Sequence, residues 1–109
     1  MIELIDNNRE NLAKLCRRYR VKRLDLFGSA VAGNFDPIKS DLDFIIEFED
    51  RRESGILERY LDFARALEEL FGRHVDLLTP RSIKNPFFMD NVNRSRMNLY
   101  DRNIQAAYS

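Results

Sequence analysis

The chain has 109 residues, of which 44% are hydrophobic and 33% are charged, and 18 basic residues balance 18 acidic ones. This length predicts one domain over residues 1–109 with a modest core, and the composition excludes a disordered chain. The zero net charge disfavours nucleic acid as a direct ligand, because proteins that bind it usually carry a basic excess. No run approaches the ~20 apolar residues of a membrane helix, and acidic residues interrupt the N-terminal segment, so we expect no membrane contact and a cytoplasmic location.

Apolar spacing predicts a helix, a strand and a helical turn in the first third of the chain. The helix covers residues 6–20, with an asparagine as its cap and Cys16 on its apolar face. The strand covers residues 21–27 and ends at Gly28, and residues 29–32 follow as a short helical turn. Cys16 is the only cysteine, so no intrachain disulfide forms, and we expect a small core residue rather than a reactive thiol.

Five further elements are predicted after residue 40. In order they are a strand at 41–48, a helix at 56–71, a short strand at 74–79, a helix at 87–95 and a last short strand at 97–100. The longest helix ends at Gly72, and its predicted core-facing stripe is Leu57, Tyr60, Leu61, Ala64, Leu67 and Phe71. This order of elements predicts an α/β (α+β) domain, in which helices pack on a small mixed sheet.

Asp41 and Asp43 stand two residues apart at the start of the second predicted strand. Alternate strand residues project from the same face, so these carboxylates point together from backbone positions roughly 6.6 Å apart. Two such carboxylates repel each other unless a hard divalent cation lies between them, and Mg²⁺ binds carboxylates together with substrate phosphates. The Gly28-Ser29 turn is a candidate for holding the phosphate end of that substrate.

Asp76 is a single acid within the apolar strand segment HVDLLT. A lone acid in such a strand is costly unless a partner compensates for it. If the third strand lies beside the second, Asp76 joins Asp41 and Asp43, and three carboxylates then hold one or two Mg²⁺ ions. The alternative is that Asp76 is a strand residue that faces solvent.

Taken together, these residues resemble the minimal nucleotidyltransferase (MNT) domains of the DNA polymerase beta-like superfamily. The signature of that family is a strand, Gly-Ser, a loop, Asp-x-Asp and a later third Asp, which here are Gly28, Ser29, Asp41, Asp43 and Asp76. The resemblance implies transfer of a nucleoside monophosphate from an NTP to a hydroxyl, with two Mg²⁺ ions as cofactors. It implies that Asp41 and Asp43 ligate both ions, and that Asp76 ligates the ion at the attacking oxygen. Gly28 and Ser29 would hold the outgoing phosphates.

The sequence departs from the family where many relatives carry arginine soon after Gly-Ser. Residues 30–32 are Ala-Val-Ala here, so those cationic phosphate contacts are missing. Lys39, Arg81 and Lys84 are candidate substitutes, although such residues usually belong to a solvated surface. His74, the only histidine, is interpreted as a surface or capping residue, and zinc is not expected because the usual His/Cys ligand set is absent.

Small MNT proteins often act beside a HEPN-domain partner as the antitoxin of a toxin–antitoxin pair, and the resemblance implies that some adenylylate a tyrosine of the toxin. We therefore expect an Mg²⁺-dependent adenylyltransferase with ATP as its nucleotide and a HEPN-type toxin as its partner; self-association stays open. The alternatives are a non-catalytic module that neutralises its partner by contact and a small-molecule nucleotidyltransferase. Phe87, Phe88 and Met89 are either an exposed anchor for a partner or core residues of the last helix, and we favour the core.

Overall fold

The computed structural model describes residues 3–33, 35–36 and 38–104. The helices are α1 Glu3–Asp6, α2 Arg9–Arg18, α3 Ser29–Ala32, α4 Ile56–Phe71 and α5 Pro86–Ser95. The strands are β1 Val21–Phe27, β2 Leu42–Phe48, β3 Val75–Leu78 and β4 Met97–Asp101, and a 3₁₀ turn covers Pro80–Ser82. The predicted α/β (α+β) architecture is confirmed. No helix in the described part of the chain is both long and apolar enough to cross a membrane.

The four strands form one mixed sheet in the order β3-β2-β1-β4. β1 is antiparallel to β2 and to β4, whereas β2 and β3 are parallel. A parallel pair needs a long crossover, and α4 provides it between β2 and β3. The N-terminal ends of β2 and β3 therefore meet at the same edge of the sheet.

The main core lies between one face of the sheet and the helices α2 and α4. Strand residues alternate between faces, so β1 and β2 each give one set of apolar side chains to this core. The members of the set are Leu24, Leu26, Leu42, Phe44, Ile46 and Phe48, packed with Leu12, Cys16, Phe63 and Leu67 of the helices. A smaller cluster of Phe27, Ile45 and Val92 covers part of the opposite face, where α5 packs. That face remains partly open beside α5.

The predicted stripe of α4 is wrong at two positions. Leu57 and Leu61 are 64% and 51% exposed, while Phe63, absent from the predicted stripe, is fully buried. The ring of Phe63 packs against Phe48 at 6.0 Å and Tyr19 at 5.6 Å between centroids. The helix therefore turns toward the side that places the Phe63 ring in the core, because that ring buries more apolar area than a leucine.

The predicted first helix is shorter in the structure, and a separate helical turn precedes it. α1 ends at Asp6 and α2 begins at Arg9, so the helix predicted over residues 6–20 is too long at both ends. The Asn8 side chain donates a hydrogen bond to the carbonyl of Leu4 at 2.8 Å. An asparagine at this place thus serves the end of α1 and makes no side-chain cap for α2. Cys16 is buried, and burial raises the pKa of its thiol to about 12, which agrees with a core role.

Candidate active site

The three predicted acids lie at the edge where β2 and β3 run side by side. Asp43 and Asp76 are direct partners in the register of the two parallel strands. Asp41 lies just before β2, and its carboxylate is within 4.8 Å of both Asp76 and His74. The structure therefore brings together the three acids that sequence reasoning proposed, because the crossover through α4 sets the two strands in parallel.

His74 belongs to this acid cluster, a contact that the sequence analysis did not predict. Its Nε2 lies 3.0 Å from Asp76 Oδ1, and its Nδ1 lies 3.1 Å from Glu68 Oε2 at the end of α4. The imidazole is 59% exposed, so its interpretation as a surface residue holds in part. The signal was in the sequence, since His74 and Asp76 stand two residues apart and share a strand face.

The cluster perturbs the protonation of its members. The pKa of Asp43 is raised to about 6, first by burial, then by a hydrogen bond with Asp76 and by the negative charges of Asp76 and Asp41. The hydrogen bond to Asp76 is the main cause that raises the pKa of His74. Protons thus relieve the crowding of carboxylates in the free protein, and a cation bound there would relieve the same crowding.

The turn after β1 brings its backbone against Asp43. Gly28 has φ +76°, and a Cβ built at this position would overlap Asp43 Oδ2. The carbonyl of Gly28 accepts hydrogen bonds from Val31 at 3.1 Å and Ala32 at 3.0 Å, which close the first turn of α3. Only glycine fits both the conformation and the contact, so the Gly-Ser turn and the acids form one local structure.

A cleft of about 440 Å³ opens from the acids toward α5, a volume in the range of small-molecule sites. Its lining residues are Phe27, Gly28, Asp43, Asp76, Leu78, Phe88, Asn91, Val92 and Ser95. Among these described residues there is no lysine or arginine. Arg81, one predicted substitute for the missing cations, instead lines a larger cleft of about 860 Å³ around the C-terminal end of β2. That larger cleft contains none of the three aspartates.

One side of α5 lines the acid cleft, and Phe88 in its first turn is the first of the lining residues. The Asn85 side chain accepts hydrogen bonds from the backbone N–H groups of Phe87 and Phe88, at 2.9 and 3.4 Å, and so begins the helix. The Phe88 ring meets Phe27 edge-to-face at 6.2 Å and is 41% exposed, and Phe87 is 79% exposed. The expectation that this segment is core is therefore wrong for Phe87, and for Phe88 it holds only at the ring edge that meets Phe27.

A buried charge network attaches the other end of α5 to the sheet. Asp25 of β1 is fully buried and accepts hydrogen bonds from Arg96 at 2.5 Å, Asn98 at 2.8 Å and Arg23 at 3.2 Å. Burial raises the pKa of Asp25, but the hydrogen bonds from Asn98, Arg23 and Arg96 outweigh it and hold the pKa below its usual value. Arg96 directly follows α5, so this network positions the helix that walls the cleft. Sequence reasoning missed it.

The sequence matches the family described as "Nucleotidyltransferase domain" over residues 9–99. The chain belongs to this family. Among relatives of this nucleotidyltransferase is MJ1379 of Methanocaldococcus jannaschii, named as a candidate protein adenylyltransferase, which is 36% identical over 69% of this chain and 73% of its own. A solved structure described as a candidate minimal nucleotidyltransferase is 31% identical, with a TM-score of 0.70 over 88% of this chain and 95% of that one. The resemblance to minimal nucleotidyltransferases is thus confirmed.

A more distant neighbour shows the same fold within a complex. It is the structure of a tri-AMPylated Shewanella oneidensis HEPN toxin with its MNT antitoxin, 20% identical, with a TM-score of 0.60 over 94% of this chain and 77% of that one. At 20% identity this similarity shows that the two proteins share a fold, and no more.

Proposed function

We propose that this nucleotidyltransferase is an Mg²⁺-dependent adenylyltransferase that moves AMP from ATP to a hydroxyl, and that it acts in the cytoplasm as an antitoxin. The acceptor we propose is a tyrosine of a HEPN-type toxin partner. The observation that carries the proposal is the meeting of Asp41, Asp43 and Asp76, of which Asp43 and Asp76 line, together with Gly28, a cleft of nucleotide size.

The donor set fits the metal that the family implies. The three side chains offer only carboxylate oxygens, which are the ligands that Mg²⁺ prefers, and the raised pKa of Asp43 indicates carboxylates crowded enough to gain from a cation. Asp41 and Asp43 would hold both ions, and Asp76 would hold the one beside the acceptor. When bound, the metal supplies charge neutralisation at the attacking and leaving oxygens.

The protein residues have separate roles in the transfer. The acceptor oxygen bonds to the α-phosphorus of ATP, the bond from that phosphorus to the bridging oxygen breaks, and pyrophosphate leaves. Asp76, as a ligand of the ion beside the acceptor, would help the hydroxyl to lose its proton, and the backbone at Gly28 and Ser29 would hold the departing phosphates. Phe88 and Val92 of α5 give the same cleft an apolar side against which the nucleoside would lie.

The partner is proposed from relatives. The MNT antitoxin of Shewanella oneidensis is seen with an AMPylated HEPN toxin, and MJ1379 is named as a candidate protein adenylyltransferase. Phe87 gives this chain an exposed aromatic side chain beside the cleft, where a protein acceptor would approach.

A second function is a non-catalytic module that neutralises its toxin by contact. It is favoured by the absence of lysine and arginine among the described residues that line the acid cleft, which leaves the phosphates of ATP without protein cations. Exposed Phe87 would serve this function equally well.

An assay for the transfer of radiolabelled AMP to the toxin distinguishes the adenylyltransferase from the non-catalytic module. The purified chain is incubated with Mg²⁺, ATP radiolabelled at its α-phosphate and a HEPN-domain protein from the same genome. We expect label on the toxin with the native chain and with the surface variant Asp62→Asn, and none with Asp41→Asn/Asp43→Asn. Replacing the acceptor tyrosines of the toxin by phenylalanine should also remove the label.

Two results would contradict the proposal. Toxin neutralisation that survives Asp41→Asn/Asp43→Asn without any labelling would establish the contact mechanism. Label that appears on a small-molecule hydroxyl and never on the toxin would establish the small-molecule transferase.

A further inference from the structure

The cluster at the edge of the sheet contains a nitrogen ligand in addition to carboxylates. Asp41, His74 and Asp76 each offer one donor atom, and these three atoms lie within 4.8 Å of one another. An imidazole nitrogen with two carboxylate oxygens is a donor set that suits first-row transition cations better than Mg²⁺, which prefers oxygen throughout.

A residue that is not one of these three ligands, Glu68, orients the His74 ring. Its Nδ1 faces Glu68 Oε2 at 3.1 Å, and the same Glu68 oxygen accepts a hydrogen bond from the Val75 backbone at 3.1 Å. Glu68 is thus held in place by β3 and lies where its carboxylate would keep a proton on Nδ1 once Nε2 binds a cation. Nε2 then points at Asp76 Oδ1, 3.0 Å away. A carboxylate behind the distal nitrogen of a histidine is the usual arrangement behind metal-binding imidazoles.

We propose that Asp41, His74 and Asp76 form a site for a divalent first-row transition cation, with His74 Nε2 as ligand and Glu68 as the residue that positions it. The inference deepens the proposed function and rests on it for its meaning in catalysis, because the site shares two aspartates with the proposed transferase centre. Among cations, affinity should rise in the order Mg²⁺, Mn²⁺, Zn²⁺, which is the order that nitrogen ligation produces.

The single histidine makes the test direct. In untagged, ¹⁵N-labelled protein the only imidazole signals come from His74, and the only thiol, on Cys16, is buried and cannot compete. Zn²⁺ is titrated into the free protein without nucleotide or toxin. We expect the Nε2 resonance to shift strongly while Nδ1 keeps its proton. Zn²⁺ binding that leaves both ring nitrogens unshifted, or that occurs through Nδ1, would overturn the proposal.

Calorimetric titrations with Zn²⁺, Mn²⁺ and Mg²⁺ add the variants. Glu68→Gln should weaken Zn²⁺ binding by about 10-fold or more, and His74→Asn should weaken it further and reduce the preference over Mg²⁺. Asp62→Asn on the exposed side of α4 is the matched control and should bind as the native chain does. Equal Zn²⁺ affinity for the native chain and His74→Asn would refute the site.

These measurements fail independently of the proposed function. A chain that binds Zn²⁺ through Nε2 but transfers no AMP would refute the transferase and leave this site standing. A chain that transfers AMP with Mg²⁺ but binds Zn²⁺ without His74 would refute this site and leave the transferase standing.

Discussion

Replacing Asp43 by asparagine should stabilise the free protein at neutral pH, although Asp43 is a proposed metal ligand. The carboxyl lies between the Gly28 turn and Asp76, and its pKa is raised from 3.8 to about 6. Since one pKa unit corresponds to about 1.4 kcal/mol, a charge at a wholly buried site with this pKa would cost about 3 kcal/mol. Asp43 is only partly buried, and solvent screening reduces the expected cost to about 1 to 1.5 kcal/mol.

The sign of the effect follows from proton binding. Between pH of about 4 and about 6 the folded protein keeps a proton on Asp43 that the unfolded chain has lost, so the free energy of unfolding falls as pH rises through this window. The asparagine of the variant cannot ionise, and its amide can donate to Asp76 as the protonated carboxyl does. The stability gain of Asp43→Asn should therefore be full at neutral pH and vanish near pH of about 4.

Urea unfolding and thermal melts in EDTA measure this difference. We expect Asp43→Asn to raise the free energy of unfolding by about 1 to 1.5 kcal/mol at neutral pH, and the melting temperature by about 5 °C. Asp62→Asn, on the exposed side of α4, should stay within about 0.5 kcal/mol of the native chain. Added Mg²⁺ should stabilise the native chain more than the variant. A gain that is the same at both pH values, or a loss at neutral pH, would refute carboxylate crowding.

Three other substitutions test the parts of the structure that hold the site. Asp25→Ala should cost about 3 kcal/mol in urea unfolding, because it removes the buried carboxylate that accepts hydrogen bonds from half-buried Arg96 and from Asn98; a cost below about 1 kcal/mol would contradict this. The native network should weaken only in acid, as pH falls through the lowered pKa of Asp25. Gly28→Ala should cost more than Gly33→Ala, since both have positive φ but only Gly28 adjoins Asp43; equal losses would exclude the close contact. Phe63→Ala should cost about 3 to 5 kcal/mol, whereas Leu57→Ala should change stability little, and the reverse order would contradict the observed face of α4.

The elements whose ends depend on local signals could be predicted from the sequence. β1 and α4 have the predicted bounds because glycines with positive φ, Gly28 and Gly72, follow them directly. The face of α4 could not be fixed in this way. Its stripe is broad, and the choice between Leu61 and Phe63 depends on Phe48, which belongs to another element.

The acidic residues of the site could be predicted from the sequence, but the residues that contact them could not. Asp41 and Asp43 share a strand face by spacing alone, whereas the approach of Asp76 required that β2 and β3 be parallel neighbours. The carboxylate of Asp25 was visible as a charge inside an apolar strand. Its partners Arg96 and Asn98 are 71 and 73 residues away and meet it only because β4 pairs with β1.

The charges of the acid cleft determine how a nucleotide can bind there. A triphosphate carries several negative charges, and the described residues that line the cleft add two aspartates and no cation. Bringing these charges together without compensation is unfavourable at any plausible dielectric constant. Under the proposed function, metal ions at the aspartates would supply the compensating charge, and side chains of the proposed partner could add to it at the open side of α5. The proposal therefore predicts that nucleotide affinity depends on metal binding, because residues 30–32 after Ser29 carry no arginine.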